Sequence, residues 1–304
     1  MMNFGEYTET VLAEIRARTD GTFDVLTDTV TKNNGIKLTG ILAVAKGNNI
    51  GPCIYLDDFY REYADGGMEF GETVDEIYRL LVKHQVNPQS INISGFRNWE
   101  TAGYSVRAKL VNAAQNKGML EKIPHRLFLD LAVVYYAMID GFGGQNIGTV
   151  LINNRHMEMW GQNEGNLYER AITNMRYDGN PCFDSLENAV KHILADTGGL
   201  WEGKKDWNNS GMYILTNRRK CYGVSEILDK HTMRVIADVI GDGFIVLPSS
   251  VHEVIILRPD SAVEYEKLAD MVKAVNDTQV SEEERLSYHV YAYNRSEERL
   301  KIVA

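Results

Sequence analysis

The chain has little of what marks a specialised protein. Cysteine occurs only three times in 304 residues, at Cys53, Cys182 and Cys221, with no CxxC pair. That excludes a disulfide framework and a cysteine-rich zinc site. Proline is scarce, at six residues, while 44% of the chain is hydrophobic, too much for a disordered polymer. No run of about 18 apolar residues occurs, and the opening "MMNFGEYTETVLAEIRAR" has no apolar core of the secretory kind. A cytoplasmic protein with no membrane attachment is the expectation. Basic charge is also in deficit, with 32 Lys and Arg against 42 Asp and Glu, a net charge of −10. That field repels a nucleic-acid backbone, and the short runs Lys204-Lys205 and Arg218-Arg219-Lys220 are too small to reverse it. Nucleic acid is disfavoured as a partner.

What is present reads as alternating helices and strands. Phe4, Tyr7, Val11 and Ile15 share one side of a first helix. Two β-rich runs then flank Asn33-Asn34-Gly35, residues that accept the positive φ angles of a tight hairpin turn. Thr73 and Glu76 have the spacing of a capping box at the entry of a helix whose apolar face is Val74, Ile77, Tyr78 and Leu81. "WETAGYSVRAKLVNAAQ" reads as a further helix. "RLFLDLAVVYYAMI", residues 126–139, is so continuously apolar that it suits a strand or strand pair covered on both faces, with "IGTVLI" as partner. Helices follow at "NNRHMEMWG", at "NEGNLYERAITNM" with Leu167, Ala171, Ile172 and Met175 inward, and after Asp184 and Glu187. Residues 197–210 read as a mobile loop.

The last third alternates in the order β-α-β-β-α-β: "MYILTN", a helix with Val224, Ile227, Leu228, Val235 and Val239, the strands "FIVLP" and "VHEVIIL", a helix with Tyr265, Leu268, Val272 and Val275, and "YHVYAY". That order belongs to the split βαβ, or ferredoxin-like, arrangement. The expected fold is α+β with antiparallel sheets, divided into an N-terminal helix-and-hairpin lobe over 1–122 and a C-terminal α+β region over 123–304, packed together.

The most conspicuous polar stretch is "VLPSSVHEVIIL", residues 246–257. If residues 251–257 form a strand, side chains alternate, and His252 and Glu253 point to opposite faces. They cannot then be an acid–base pair. Ser249 and Ser250 lack a glycine-flanked elbow, and Ile256 stands where a zinc-binding helix needs a second histidine. A hairpin joining core strands is the expectation. His156-Met157-Glu158 followed by Cys182 has part of a zinc-deaminase pattern, but Ser185 stands where the second cysteine is needed. Asp57 and Asp58, with Glu62 and Asp65, could hold a hard cation or form an exposed acidic helix face. "GFGGQNIG", 141–148, has Asn146 in place of the third glycine of a dinucleotide fingerprint. No cofactor and no metal are expected.

Several segments resemble a known group: the Asn33–Gly35 hairpin with "IYLDDFY", then "DLAVVYYAM", "MEMWGQNEGNLYERAITN", "MYILTN", "LPSSVHEVIIL" and "MVKAVNDTQVSEEERLSYHVYAY". Together they are similar to an uncharacterised domain-of-unknown-function family from gut clostridia and related Firmicutes, over about residues 25–294. The middle segment also resembles a second uncharacterised bacillar family. The resemblance implies a bacterial, intracellular protein and brings no catalytic residue. A non-catalytic binding or regulatory protein acting through protein–protein contacts is the leading expectation, since no complete catalytic constellation is present. An acidic surface would select a basic partner. The alternative is a hydrolase or nucleotide-processing enzyme assembled from Ser249, Ser250, His252, Asn174, Asp57 and Asp58.

Overall fold

The computed structural model describes residues 1–48, 50–85, 94–139, 148–178, 181–189, 211–259 and 264–304. They fall into two compact units, Met1–Ser94 with Ile139–Gly148, and Gly95–Met138 with Thr149–Ala304.

The first unit begins with α1, Phe4–Thr19, opened by a reciprocal capping box between Asn3 and Glu6. Tyr7, Val11 and Ile15 are fully buried on its inner side, the face expected from their spacing. β1, Phe23–Thr31, and β2, Lys37–Ala45, pair antiparallel over nine residues, and the turn between them places Asn34 and Gly35 at φ 59° and 74°. β3, Cys53–Tyr55, adds to β2. Two helices follow, α2 over Asp57–Ala64 and α3 over Phe70–Lys83. α3 starts a turn before the expected point. Glu69 and Glu72 form its capping box, while Thr73 is buried and bonds back to the Phe70 carbonyl. Val74, Ile77 and Leu81 complete the core with Leu56 and Ile41.

The second unit opens with a short helix, α4, Trp99–Ala102. The rest of the segment expected to be helical is a strand, β4, Val106–Asn112. Its neighbours explain this. Val106, Ala108 and Leu110 alternate into one core and Val111 into another, the period of two that a strand uses to bury both faces. After α5, Lys117–Leu120, come β5, His125–Phe128, and β6, Leu131–Ile139. β6 pairs antiparallel with both β4 and β5 and also with β7, Gly148–Leu151. Leu131, Val133 and Tyr135 face one core while Ala132 and Val134 face the other, as a strand covered on both sides requires. The seven-residue β4–β6 register ties β4 to the second unit.

α6, Asn154–Trp160, and α7, Glu164–Tyr177, follow as expected. Asp184, read as a helix opener, lies in a strand, β8, Pro181–Ser185, and the expected helix begins right after it at 186, where the Ser185 hydroxyl accepts the Asn188 N–H. The ladder of β8 with the next strand, β9, Met212–Asn217, holds 181–185 extended up to that point. The Val190 and Ile193 stripe, the 197–210 loop and residues 141–147 of the glycine cluster lie outside the described residues.

Beyond β9 a 3-10 helix, Gly223–Leu228, precedes α8, Lys230–Ile240. The single helical stripe expected here breaks at Asp229, which caps α8 and resets its phase. Met233, Ile236, Ala237 and Ile240 are inward and Val235 is exposed. β10, Gly243–Leu247, β11, Val254–Leu257, α9, Tyr265–Gln279, β12, Tyr291–Asn294, and β13, Arg299–Ile302, complete the chain. The sheet runs β13-β12-β10-β11-β9-β8, antiparallel at every pairing. β11 lies between β9 and β10, the split βαβ. However, β12 joins β10, where a ferredoxin-like sheet would place its last strand beside β9. β8 occupies that edge. The architecture is α+β, and among the described residues no helix is long and apolar enough to cross a membrane.

Candidate functional site

The residues singled out by sequence are divided between the two units. Asp57 and Asp58 belong to the first unit. The Asp57 carboxylate accepts the Thr39 N–H at 2.8 Å, and Asp58 forms an exposed pair with Arg61 one helical turn away. Asn174 is buried on α7, where its amide donates to the carbonyls of Gly103 and Val106, at 2.7 and 2.9 Å, and clamps the entry of β4. His156 sits in the capping box of α6, with its ring against Phe96 and Trp160, and burial lowers its pKa. Among the described residues no three His, Cys, Asp or Glu side chains converge as a metal site.

The stretch 246–257 does join two antiparallel core strands, β10 and β11. Residues 251–253, expected to begin the second strand, are irregular instead, and β11 starts at Val254. The reason is local hydrogen bonding. The chain at 248–251 pairs with 284–287 through Ser287 N–H to Pro248, Leu286 N–H to Ser249 and Val251 N–H to Glu284. Ser250 Oγ takes the His252 N–H at 3.0 Å, and the Thr216 hydroxyl donates to the His252 carbonyl at 2.8 Å. Strand alternation therefore does not govern His252 and Glu253. His252 Nδ1 accepts the Tyr222 N–H at 3.2 Å, which places the ring proton on Nε2, 3.3 Å from the Glu284 carboxylate. The Tyr222 ring stacks on the imidazole, centroids 5.7 Å apart, and the Lys109 ammonium lies over the other partner of that stack, 4.6 Å from the Tyr222 ring centre.

This loop buttresses the turn that opens the 3-10 helix. Tyr222 is left-handed, φ 54°, and the chain passes so close to the loop at Gly223 that a Cβ there would lie 2.5 Å from the His252 carbonyl oxygen and 2.6 Å from the Asn217 nitrogen. The 3-10 helix carries Glu226, a residue that sequence reading passed over, and Glu226 lines a cleft of about 230 Å3. The walls come from β4 (Arg107), β6 (Tyr136), the end of α7 (Asp178) and the turn after β9 (Asn217, Arg218, Arg219).

Three carboxyl groups gather at this end of the unit, and two are neutralised. Asp178 accepts Arg107 Nε and Nη2 at 2.6 and 2.8 Å, while Arg107 Nη1 donates to the Tyr104 and Val106 carbonyls. Asp229 accepts Arg176 Nε and Nη2 at 2.9 and 2.6 Å, plus the N–H and hydroxyl of Thr232. Burial opposes its ionisation, but those donors hold its pKa below the usual carboxylate value. Glu226 has neither an arginine nor a hydrogen bond among the described residues, although only 6% of it is exposed. Burial first, then the charges of Asp229 and Asp178, push its carboxyl up to about 8. Tyr136, 9% exposed, likewise has no hydrogen-bond partner for its hydroxyl among the described residues. Burial raises its pKa.

Nothing local in the sequence marks Glu226 or Tyr136, because each sits in an apolar run, "GVSEIL" and "VVYY", that reads as core. The one available signal was the doublet Arg218-Arg219, which reads as a solvated loop until the fold brings it to the cleft mouth. No curated protein and no solved structure matches the chain. A family of unknown function, DUF5688, matches it over residues 4–295, and the chain belongs to that family.

Proposed function

We propose that this protein is a non-catalytic binding protein of the bacterial cytoplasm and that it binds through the cleft of its second unit. One observation carries the reading: Glu226 and Tyr136, two largely buried residues, both line one cleft with polar groups that have no hydrogen-bond partner among the described residues. A few polar groups left open on the wall of a cleft are available to pair with a ligand and fix its orientation. Three residues of the enzymatic alternative are occupied in holding the fold. His252 uses both ring nitrogens, Asn174 spends its amide on two carbonyls, and Ser250 accepts a backbone N–H. None of the three cysteines is in a disulfide, which suits a reducing compartment.

Native mass spectrometry of the protein purified gently from cells tests the reading. The wild type should carry a small molecule that a Tyr136→Phe/Glu226→Ala variant loses, and phosphoester, ester and peptide substrates should not be turned over. Turnover that disappears in His252→Ala, with thermal stability unchanged, would overturn the proposal in favour of a hydrolase.

A further inference from the structure

Resting on that binding reading, we infer that the cleft takes a small oxyanion, a carboxylate or phosphoryl group, held by the Tyr136 hydroxyl, the Glu226 carboxyl and the guanidinium groups of Arg218 and Arg219. The charge balance supports an anion. Three guanidinium groups and one aspartate line the cleft, and that aspartate, Asp178, is held in a two-point pair by Arg107. Arg107 has all its nitrogens engaged, so the arginines that can reach a ligand are the exposed Arg218 and Arg219 at the mouth. Arg218 makes no hydrogen bond or ion pair among the described residues, and Arg219 meets only the Met138 sulfur with its side chain. Guanidinium planes match the two-oxygen edge of a carboxylate or phosphoryl group. A volume of about 230 Å3 is below that of sites for drug-sized molecules, so the ligand is small.

The inner wall completes the donor set. Facing Glu226 are Arg107 from β4, Tyr136 from β6, Asp178 from α7, Cys182 from β8 and the two arginines after β9, with Asp229 next along its own chain. Burial raises the Tyr136 phenol and the Cys182 thiol, so both stay protonated at neutral pH. Glu226, pushed up to about 8, is also protonated there and donates a hydrogen bond, as a carboxyl held neutral by its surroundings can. Above that pH the same group becomes a carboxylate facing the bound anion and repels it.

Sulfate and acetate, which keep their charge from pH 6 to 10, serve as phosphoryl-like and carboxylate-like probes, with ethylammonium as the cationic one. NMR titration following the amides of 217–226 should show saturable shifts with an oxyanion at pH 6.5, and the tighter of the two probes identifies the group. At pH 9.5 binding should be about thirty-fold weaker, the factor expected if only protonated Glu226 is competent. Glu226→Gln, whose amide also donates, should bind equally at both pH values, and Tyr136→Phe should bind about ten-fold more weakly. Saturable binding of ethylammonium that tightens as pH rises would overturn the ligand class and leave the binding reading intact. No saturable shift with any probe would overturn the inference, and the native mass spectrum would then decide the binding reading by itself.

Discussion

Around His252 and around Glu226 the second unit buries polar groups in opposite ways. The imidazole has a donor on one side and a carboxylate on the other. The Ser250 hydroxyl takes a backbone N–H, and the His252 carbonyl takes the Thr216 hydroxyl. Four residues beyond Tyr222, the Glu226 carboxyl has burial and like charge but no hydrogen bond among the described residues. The first region is a finished structural joint, and the second leaves a carboxyl without a hydrogen-bond partner among the described residues on the wall of a cleft. They meet at Gly223, where the satisfied loop sets the path of the segment that carries the unsatisfied acid. Polarity in a sequence therefore says little until its partners are counted. The conspicuous histidine supports the fold, and the inconspicuous glutamate carries the open valence.

The contrast can be broken or sharpened by substitution. Glu226→Gln should have the largest effect, read as a pH profile of unfolding free energy. A folded-state pKa raised from 4.5 to about 8 gives stability that is full below 4.5 and is lost as pH rises through 8. The wild type should therefore fall relative to the Gln variant by up to about 1.4 kcal/mol per pH unit across that window. Parallel profiles would mean that Glu226 is satisfied after all. Gly223→Ala should follow, at about 3 kcal/mol by denaturant melt, since two of the atoms that its methyl group would meet belong to the backbone and cannot rotate away. His252→Ala should cost less, about 1–2 kcal/mol, for the lost bond to Tyr222 and the lost stack, with cooperative unfolding retained. A neutral His252→Ala would remove the joint from this picture.

Legibility differed between elements for definable reasons. α1 and the β1–β2 hairpin were readable because their signals are local: a three-to-four apolar spacing in one, Asn-Gly backbone freedom in the other. β6 was readable because a strand covered on both faces has to be apolar throughout. β4 misled because Val106, Ala108, Leu110 and Val111 suit either period, and pairing with β6 decided between them. Asp184 has the chemistry of a helix cap, yet β9 holds it in a ladder, and the helix starts just beyond, with Ser185 in the capping place. Residues 251–253 would have continued a strand had 284–287 not taken the hydrogen bonds of the chain just before them.

The amino-acid sequence by itself determined the α+β class, the absence of a disulfide scaffold, some of the helix faces and most strand positions, since these follow from composition and short-range periodicity. Only the tertiary structure decided which strands are neighbours and which polar groups are satisfied. Arg107 meets Asp178 across 71 positions and Arg176 meets Asp229 across 53. Pairings of that range depend on chain topology, so the same physics that conceals them from a linear reading leaves Glu226 alone among three acids.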